Sequence, residues 1–171
     1  MLGLLYGLSA VGLPEYAFKN YGVEISPDEA EELIEGFFEL YPAIATDHQD
    51  VLAELHETGS VDRVTLAGRR RDRITNRNEA LNAPIQGSAA DGLKLAMSLV
   101  YRRLMRFDGT AFIIGTFHDE LLVECDEVDA KEVLEIVKTS MLEAMDGLVN
   151  AGELNVPIEV TGGITKSWSK D

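Results

Sequence analysis

The sequence has a single cysteine, Cys125, in 171 residues. It can therefore form no intramolecular disulfide, and a structural zinc site of the cysteine-rich type is excluded. That usage fits a reducing, intracellular setting. No apolar run approaches the roughly 20 residues needed to span a bilayer. The N-terminal M-L-G-L-L-Y-G-L is apolar but lacks the basic segment and cleavage site of a signal peptide. There is no internal repeat and no low-complexity stretch. His48 and His56 are eight residues apart with no third ligand nearby, so they form no zinc pair and read as residues of a solvated helix face.

Basic residues are also scarce: 15 against 30 acids, for a net charge of −15. Such a balance argues against a nucleic-acid partner until its distribution is considered. Ten of the 15 basic residues fall between Arg63 and Arg106, where only Asp72, Glu79 and Asp91 are acidic; that stretch nets +7 and the remainder −22. A protein that meets phosphate on one face and is acidic elsewhere has this pattern. A surface rich in arginine with no ligand has it too.

At this length the chain can bury on the order of 70% of its unfolded surface, as one domain or parts of two. Residues 1–13 read as a helix end running into Gly7, followed by a short helix from Leu13 to Tyr21. Ser26-Pro27-Asp28-Glu29 predicts a helix start with a capping box and proline at the first position. Apolar residues then recur on one face from Ala30 to Tyr41, and a second helix is expected from Ala43 to Glu57. Val61 to Leu66 reads as a short strand, Arg69 to Arg77 as a basic loop, and a largely apolar helix is expected from Pro84 to about Met105. Strands follow at Thr110–Phe117 and Leu121–Cys125, then an amphipathic helix from Asp129 to Met145 and a last strand from Val156 to Thr161. The order predicts an α+β fold, an antiparallel sheet with helices on one face.

Several residue groups are suited to chemistry. His118-Asp119-Glu120 lies between two apolar strands, where a carboxylate is held on a rigid support. Hard divalent cations take oxygen ligands, and magnesium commonly uses one or two carboxylates plus substrate phosphates. Neighbouring strand residues face opposite ways, so Asp119 is the first choice of ligand and Glu120 its neighbour. An acidic surface turn is the plain alternative. His118 suits a hydrogen bond to sugar or phosphate, or is a turn residue without a partner. Asn82 and Gln86 flank Pro84, and their amides suit the minor-groove acceptors that all base pairs share; helix capping alone would also account for Asn82. Arg69, Arg70 and Arg71 offer planar donor forks to phosphate or to an internal carboxylate. Tyr6-Gly7, at a helix end, suits the wall of a nucleotide pocket.

Taken in order, G-x-x-Y-G at Gly3 to Gly7, T-L-A-G-R-R-R at Thr65 to Arg71, N-A-P-I-Q-G-S-A-A-D at Asn82 to Asp91, H-D-E-L-L-V-E at His118 to Glu124 and G-x-x-x-x-W at Gly163 to Trp168 resemble the C-terminal part of family A DNA polymerases, the DNA polymerase I type. The resemblance covers essentially the whole chain. It implies a partial right-hand polymerase: the C-terminal part of the fingers over residues 1–71, then the C-terminal part of the palm over residues 72–171, with fingers helices preceding an antiparallel palm sheet and its packed helices. It implies that Tyr6 faces the incoming dNTP, that Asn82, Gln86, His118, Arg69, Arg70, Arg71 and Arg77 face the DNA primer-template, and that Asp119 with Glu120 binds part of a two-metal Mg2+ site for nucleotidyl transfer.

Some positions depart from that family pattern. Leu2 stands where an aromatic residue is usual, and Asn78 where an arginine is common, beside Arg77. The triphosphate-clamping cations and the first palm aspartate of the family have no counterpart here. The expectation is an N-terminally truncated polymerase part, a fragment or a split-gene product. It would be inactive until joined by the missing N-terminal portion and prone to self-association through surface that portion would cover. Rival readings are a non-catalytic primer-template-binding fragment, a small metal-dependent phosphohydrolase using Asp119, Glu120 and Glu124 with Asp126 or Glu127, and an acidic α+β interaction domain.

Overall fold

A computed structural model describes residues 2–151 and 156–168. The elements are α1 (Leu2–Leu5), α2 (Gly12–Tyr21), α3 (Pro27–Leu40), α4 (Pro42–Thr58), β1 (Val61–Val64), β2 (Arg70–Ile74), α5 (Arg77–Leu104), β3 (Ala111–Phe117), β4 (Glu120–Cys125) and α6 (Ala130–Val149). Helices with two antiparallel hairpins make the fold α+β, as expected. Two compact units divide the chain, Met1–Ile85 and Gln86–Asp171, and α5 runs through the division.

In the first unit the chain ends and turns are governed by local hydrogen bonding. Ser26 caps α3: its hydroxyl accepts from the Glu29 amide at 3.2 Å while the Glu29 carboxylate accepts from the Ser26 amide at 2.8 Å. Both of these otherwise orphan donors are satisfied. Pro42 occupies the first turn of α4, where no helical N–H is lost. Gly22 and Gly59 close α2 and α4 in the left-handed conformation that glycine adopts without steric cost. Val51, Val61, Ile74, Ala80 and Leu81 form the core, with Leu55 and Ala83 packed against it.

In the second unit β3 and β4 pair directly, Phe117 opposite Glu120 and Ala111 opposite Cys125, with a bulge between Ile113 and Gly115. Their inner residues Ala111, Ile113, Leu121, Val123 and Cys125 pack on Val100, Leu104, Val133 and Val137 of α5 and α6. By alternation Glu120 and Glu124 stand on the other face of the hairpin. Arg103 of α5 donates to the fully buried Ser140 hydroxyl of α6 at 2.8 Å and pairs with Glu143. A Cβ at Gly92 of α5 would collide with Met145 of α6, so the missing side chain permits the close approach of the two helices.

Four expectations from the sequence are corrected. Helix α5 starts at Arg77, seven residues before Pro84, because Asn76 caps it: its side-chain oxygen accepts from the Glu79 amide at 3.1 Å. Asn82 is consequently not the cap. The basic segment after Arg69 is not a loop, since Arg70–Ile74 pairs with β1. His48 is not on a solvated face; it is 4% exposed, whereas His56 is exposed. Finally, residues 156–161 form no strand, because neither described hairpin extends its pairing to them. Among the described residues no helix is long and apolar enough to cross a membrane.

Candidate functional site

The His118–Asp119 pair is the whole connection between β3 and β4. A two-residue hairpin matches strand twist best when its first central residue has positive φ. His118 meets that need at φ 55°, a conformation uncommon outside glycine but adopted more often by asparagine, aspartate and histidine than by other residues. The result is a short antiparallel hairpin that lifts His118, Asp119 and Glu120 into solvent; all three are exposed. The His118 ring lies edge-on to Phe117 at 4.5 Å, and Phe117 also meets Trp168 at 5.6 Å. Two adjacent carboxylates at the tip can each accept a cation or water. Among the described residues no group of three or more His, Cys, Asp or Glu side chains could hold a metal ion. The hairpin tip thus presents two adjacent carboxylates to solvent.

The arginine motif has a structural explanation of its own. Thr65 to Arg69 forms the β1–β2 turn: the Thr65 amide donates to the Arg69 carbonyl at 3.0 Å, and the Thr65 hydroxyl accepts from the Arg69 amide at 3.1 Å. Gly68 supplies the left-handed residue at φ 80°. Arg70 then pairs with Asp62 at 2.9 Å and Asp72 at 3.1 Å, and Arg71 pairs with Glu79. These carboxylates hold the Arg70 guanidinium above its ordinary pKa, the Asp72 hydrogen bond contributing most. Both arginines are exposed. Lys94 pairs with Asp91, so much of the basic stretch is balanced locally.

Tyr6 sits at the end of α1 in a Schellman turn. Leu8 donates to the Gly3 carbonyl at 2.9 Å and Gly7 to the Leu4 carbonyl at 3.1 Å, with Gly7 at φ 84°. A Cβ on Gly7 would come within 2.8 Å of the Asn78 side-chain oxygen and 3.1 Å of the Arg77 guanidinium. Arg77 is half-buried and donates to the Gly7 carbonyl at 3.3 Å. Gly7, the residue after Tyr6, is therefore tied to Arg77, far from it in sequence. The Leu2 side chain lies outside the described residues.

Asn82 and Gln86 both lie on α5. Asn82 is half-buried and Gln86 exposed, and the Asn82 side-chain oxygen is buried without a hydrogen-bond partner. His48 was missed as a structural centre. The signal was present: Ile44, His48, Val51 and Leu55 share one helical stripe.

A family model described as DNA polymerase family A matches residues 1–170, and the chain belongs to that family. It is 46% identical over 169 residues to DNA polymerase I of Aquifex aeolicus (strain VF5), a match covering 99% of this chain and 29% of that protein. It is 35% identical to the thermostable DNA polymerase I of Thermus filiformis, over 97% of this chain and 19% of that protein. Among solved structures it resembles the POL domain of Pol1 from M. smegmatis in complex with DNA primer-template and dNTP. The TM-score is 0.68 at 34% identity, over 84% of this chain and 26% of that one. The polymerase-type fold is thereby shown. The chain spans less than a third of the length of these relatives.

Proposed function

We propose that the chain forms part of a template-directed DNA polymerase, joining a dNTP to a primer 3′-hydroxyl, with residues 1–71 belonging to the fingers and residues 72–171 to the palm. The observation that carries this reading is the two-residue His118–Asp119 hairpin, which presents Asp119 and Glu120 on paired strands backed by a packed core. In the reaction the primer oxygen forms a bond to the α-phosphorus, the bond to pyrophosphate breaks, and the hydroxyl proton passes to solvent. Magnesium held there would supply charge stabilisation for the attacking and leaving oxygens. Asp119 would be the principal ligand and Glu120 its accessory. The triphosphate and water would supply further ligands.

The other residues act by positioning. His118 hydrogen-bonds the primer end. Asn82 and Gln86 read minor-groove acceptors. Arg69, Arg70, Arg71 and Arg77 serve the primer-template backbone. The ion pairs of Arg70 and Arg71 are exposed and each is worth little, so a DNA phosphate can replace the carboxylate at small cost. Tyr6 faces the incoming dNTP.

The test is primer extension with magnesium, using the chain alone and then with the N-terminal portion of a family A polymerase. Extension only in the mixture, abolished by Asp119→Ala, is the expected result. Extension by the mixture that survives Asp119→Ala overturns the metal assignment. Salt-dependent DNA binding without extension in either case favours a primer-template-binding fragment. The same samples report self-association, since a mass that rises with concentration in sedimentation is expected of a chain that exposes Phe112 and Ile114.

A further inference from the structure

We propose that His48 and Arg77 are positioning residues for Tyr6, holding the two peptide carbonyls on either side of it. The inference rests on the reading of Tyr6 as the dNTP-facing residue. It comes from what the end of α1 leaves unsatisfied. The Schellman turn uses the Gly3 and Leu4 carbonyls. The Leu5 carbonyl is the next one, and a four-residue helix has too few bonds to hold its own end. His48 reaches it from α4, with Nε2 at 3.1 Å from the Leu5 oxygen. Arg77 reaches the Gly7 carbonyl from the first turn of α5 at 3.3 Å. Tyr6 is the residue between.

The two clamps are joined. A carbonyl only accepts, so His48 carries its proton on Nε2, and its Nδ1 lone pair accepts from the other Arg77 amino group at 3.4 Å. One neutral imidazole thus bridges the Leu5 carbonyl and the Arg77 guanidinium. Phe38 packs edge-on against its ring at 5.3 Å. The charged groups around it are Arg77, Arg63 and Asp47, and Arg63 is itself paired with Asp47 at 2.7 Å. Burial holds the imidazole below its ordinary pKa; the Leu5 hydrogen bond and Asp47 oppose this, while Arg77 and Arg63 add to it. Protonation would place a hydrogen on Nδ1, facing the Arg77 donor. The shared bond would be lost and two cations would adjoin, so acid loosens the clamp on Gly7 first.

A histidine with a lowered folded pKa contributes stability that is full above its unfolded value and is lost as pH falls through the folded one.

The experiment is NMR of the isotopically labelled 171-residue chain as pH is lowered through the histidine range, with the exposed His56 as an internal control. Backbone and ring signals of Tyr6 and the amide of Gly7 should move with the midpoint of His48, not that of His56. His48→Gln retains a donor for the Leu5 carbonyl; it should keep the Tyr6 ring signals and remove their pH dependence. His48→Phe should shift or broaden them. Should His48→Phe not fold, Arg77→Lys serves instead. Lysine lacks the planar fork whose two separate nitrogens reach Gly7 and His48, so the coupling between their signals should vanish. Tyr6 signals that ignore His48 titration, or that are unchanged in folded His48→Phe, overturn the proposal. The dNTP reading has a separate readout, the KM for dNTP of Tyr6→Ala in the extension assay. An unchanged KM with the coupling intact removes the dNTP role and leaves the clamp. A raised KM with no coupling does the reverse.

Discussion

The indole of Trp168 lies 5.6 Å from the ring of Phe117, the last residue of β3 before the His118–Asp119 turn. Trp168 thereby packs beside the turn that carries the candidate ligands. Trp168 is the single tryptophan, so its signals report this contact alone. Phe117→Leu should reduce the near-ultraviolet circular dichroism of tryptophan while leaving the far-ultraviolet spectrum intact. An unchanged near-ultraviolet band would show that the contact does not persist in solution.

His118 has φ 55°. A left-handed non-glycine residue costs about 1–2 kcal/mol, and glycine removes that cost while adding about 0.5–1 kcal/mol of unfolded-state entropy. His118→Gly is therefore expected to keep or raise the Tm, and to lower primer extension if His118 touches the primer end. A clear fall in Tm would mean that the Phe117 contact outweighs backbone strain.

Asp47 holds the Arg63 guanidinium at 2.7 and 2.8 Å, and the Arg63 side chain is only 18% exposed. The Arg63 Nε is already buried without a partner. Asp47→Ala should therefore cost about 1–3 kcal/mol in urea unfolding, the penalty for a desolvated donor left unmade. Arg70→Ala, which breaks only exposed pairs, should leave the midpoint where it is. Equal effects of the two would refute this ordering.

Burial raises the Cys125 thiol pKa, and the carboxylates of Asp129 and Asp126 raise it further. The thiolate is the reactive form. Alkylation by iodoacetamide should be slower than for a free thiol near neutrality, and its rate should keep climbing at pH values where an ordinary thiol has already ionised. Asp129→Asn should speed it. A rate matching that of glutathione would contradict the burial argument.

Much of the secondary structure was legible because its causes are local. The Ser26–Glu29 capping box, the glycine closures of α2 and α4 and the apolar runs of β3 and β4 involve residues within a few positions of each other. The start of α5 was misplaced because Pro84 is a stronger visible signal than Asn76, although the cap governs where the helix begins. The placement of His118, Asp119 and Glu120 at a hairpin tip was also legible, since two apolar strands bracket them.

What the sequence determined by itself is the family, the order of elements and the chemical identity of the hairpin tip, all of which reside in residue types and short-range spacing. The tertiary structure decided which partner each polar group takes. His48 on a helix could have faced water, and Arg70, Arg71 and Arg77 had the same donors available for phosphate as for protein. Through-space proximity alone brought the Leu5 carbonyl to His48 and Gly7 to Arg77, across 43 and 70 residues of chain. A hydrogen bond depends on distances of a few ångströms, and sequence separation does not encode them.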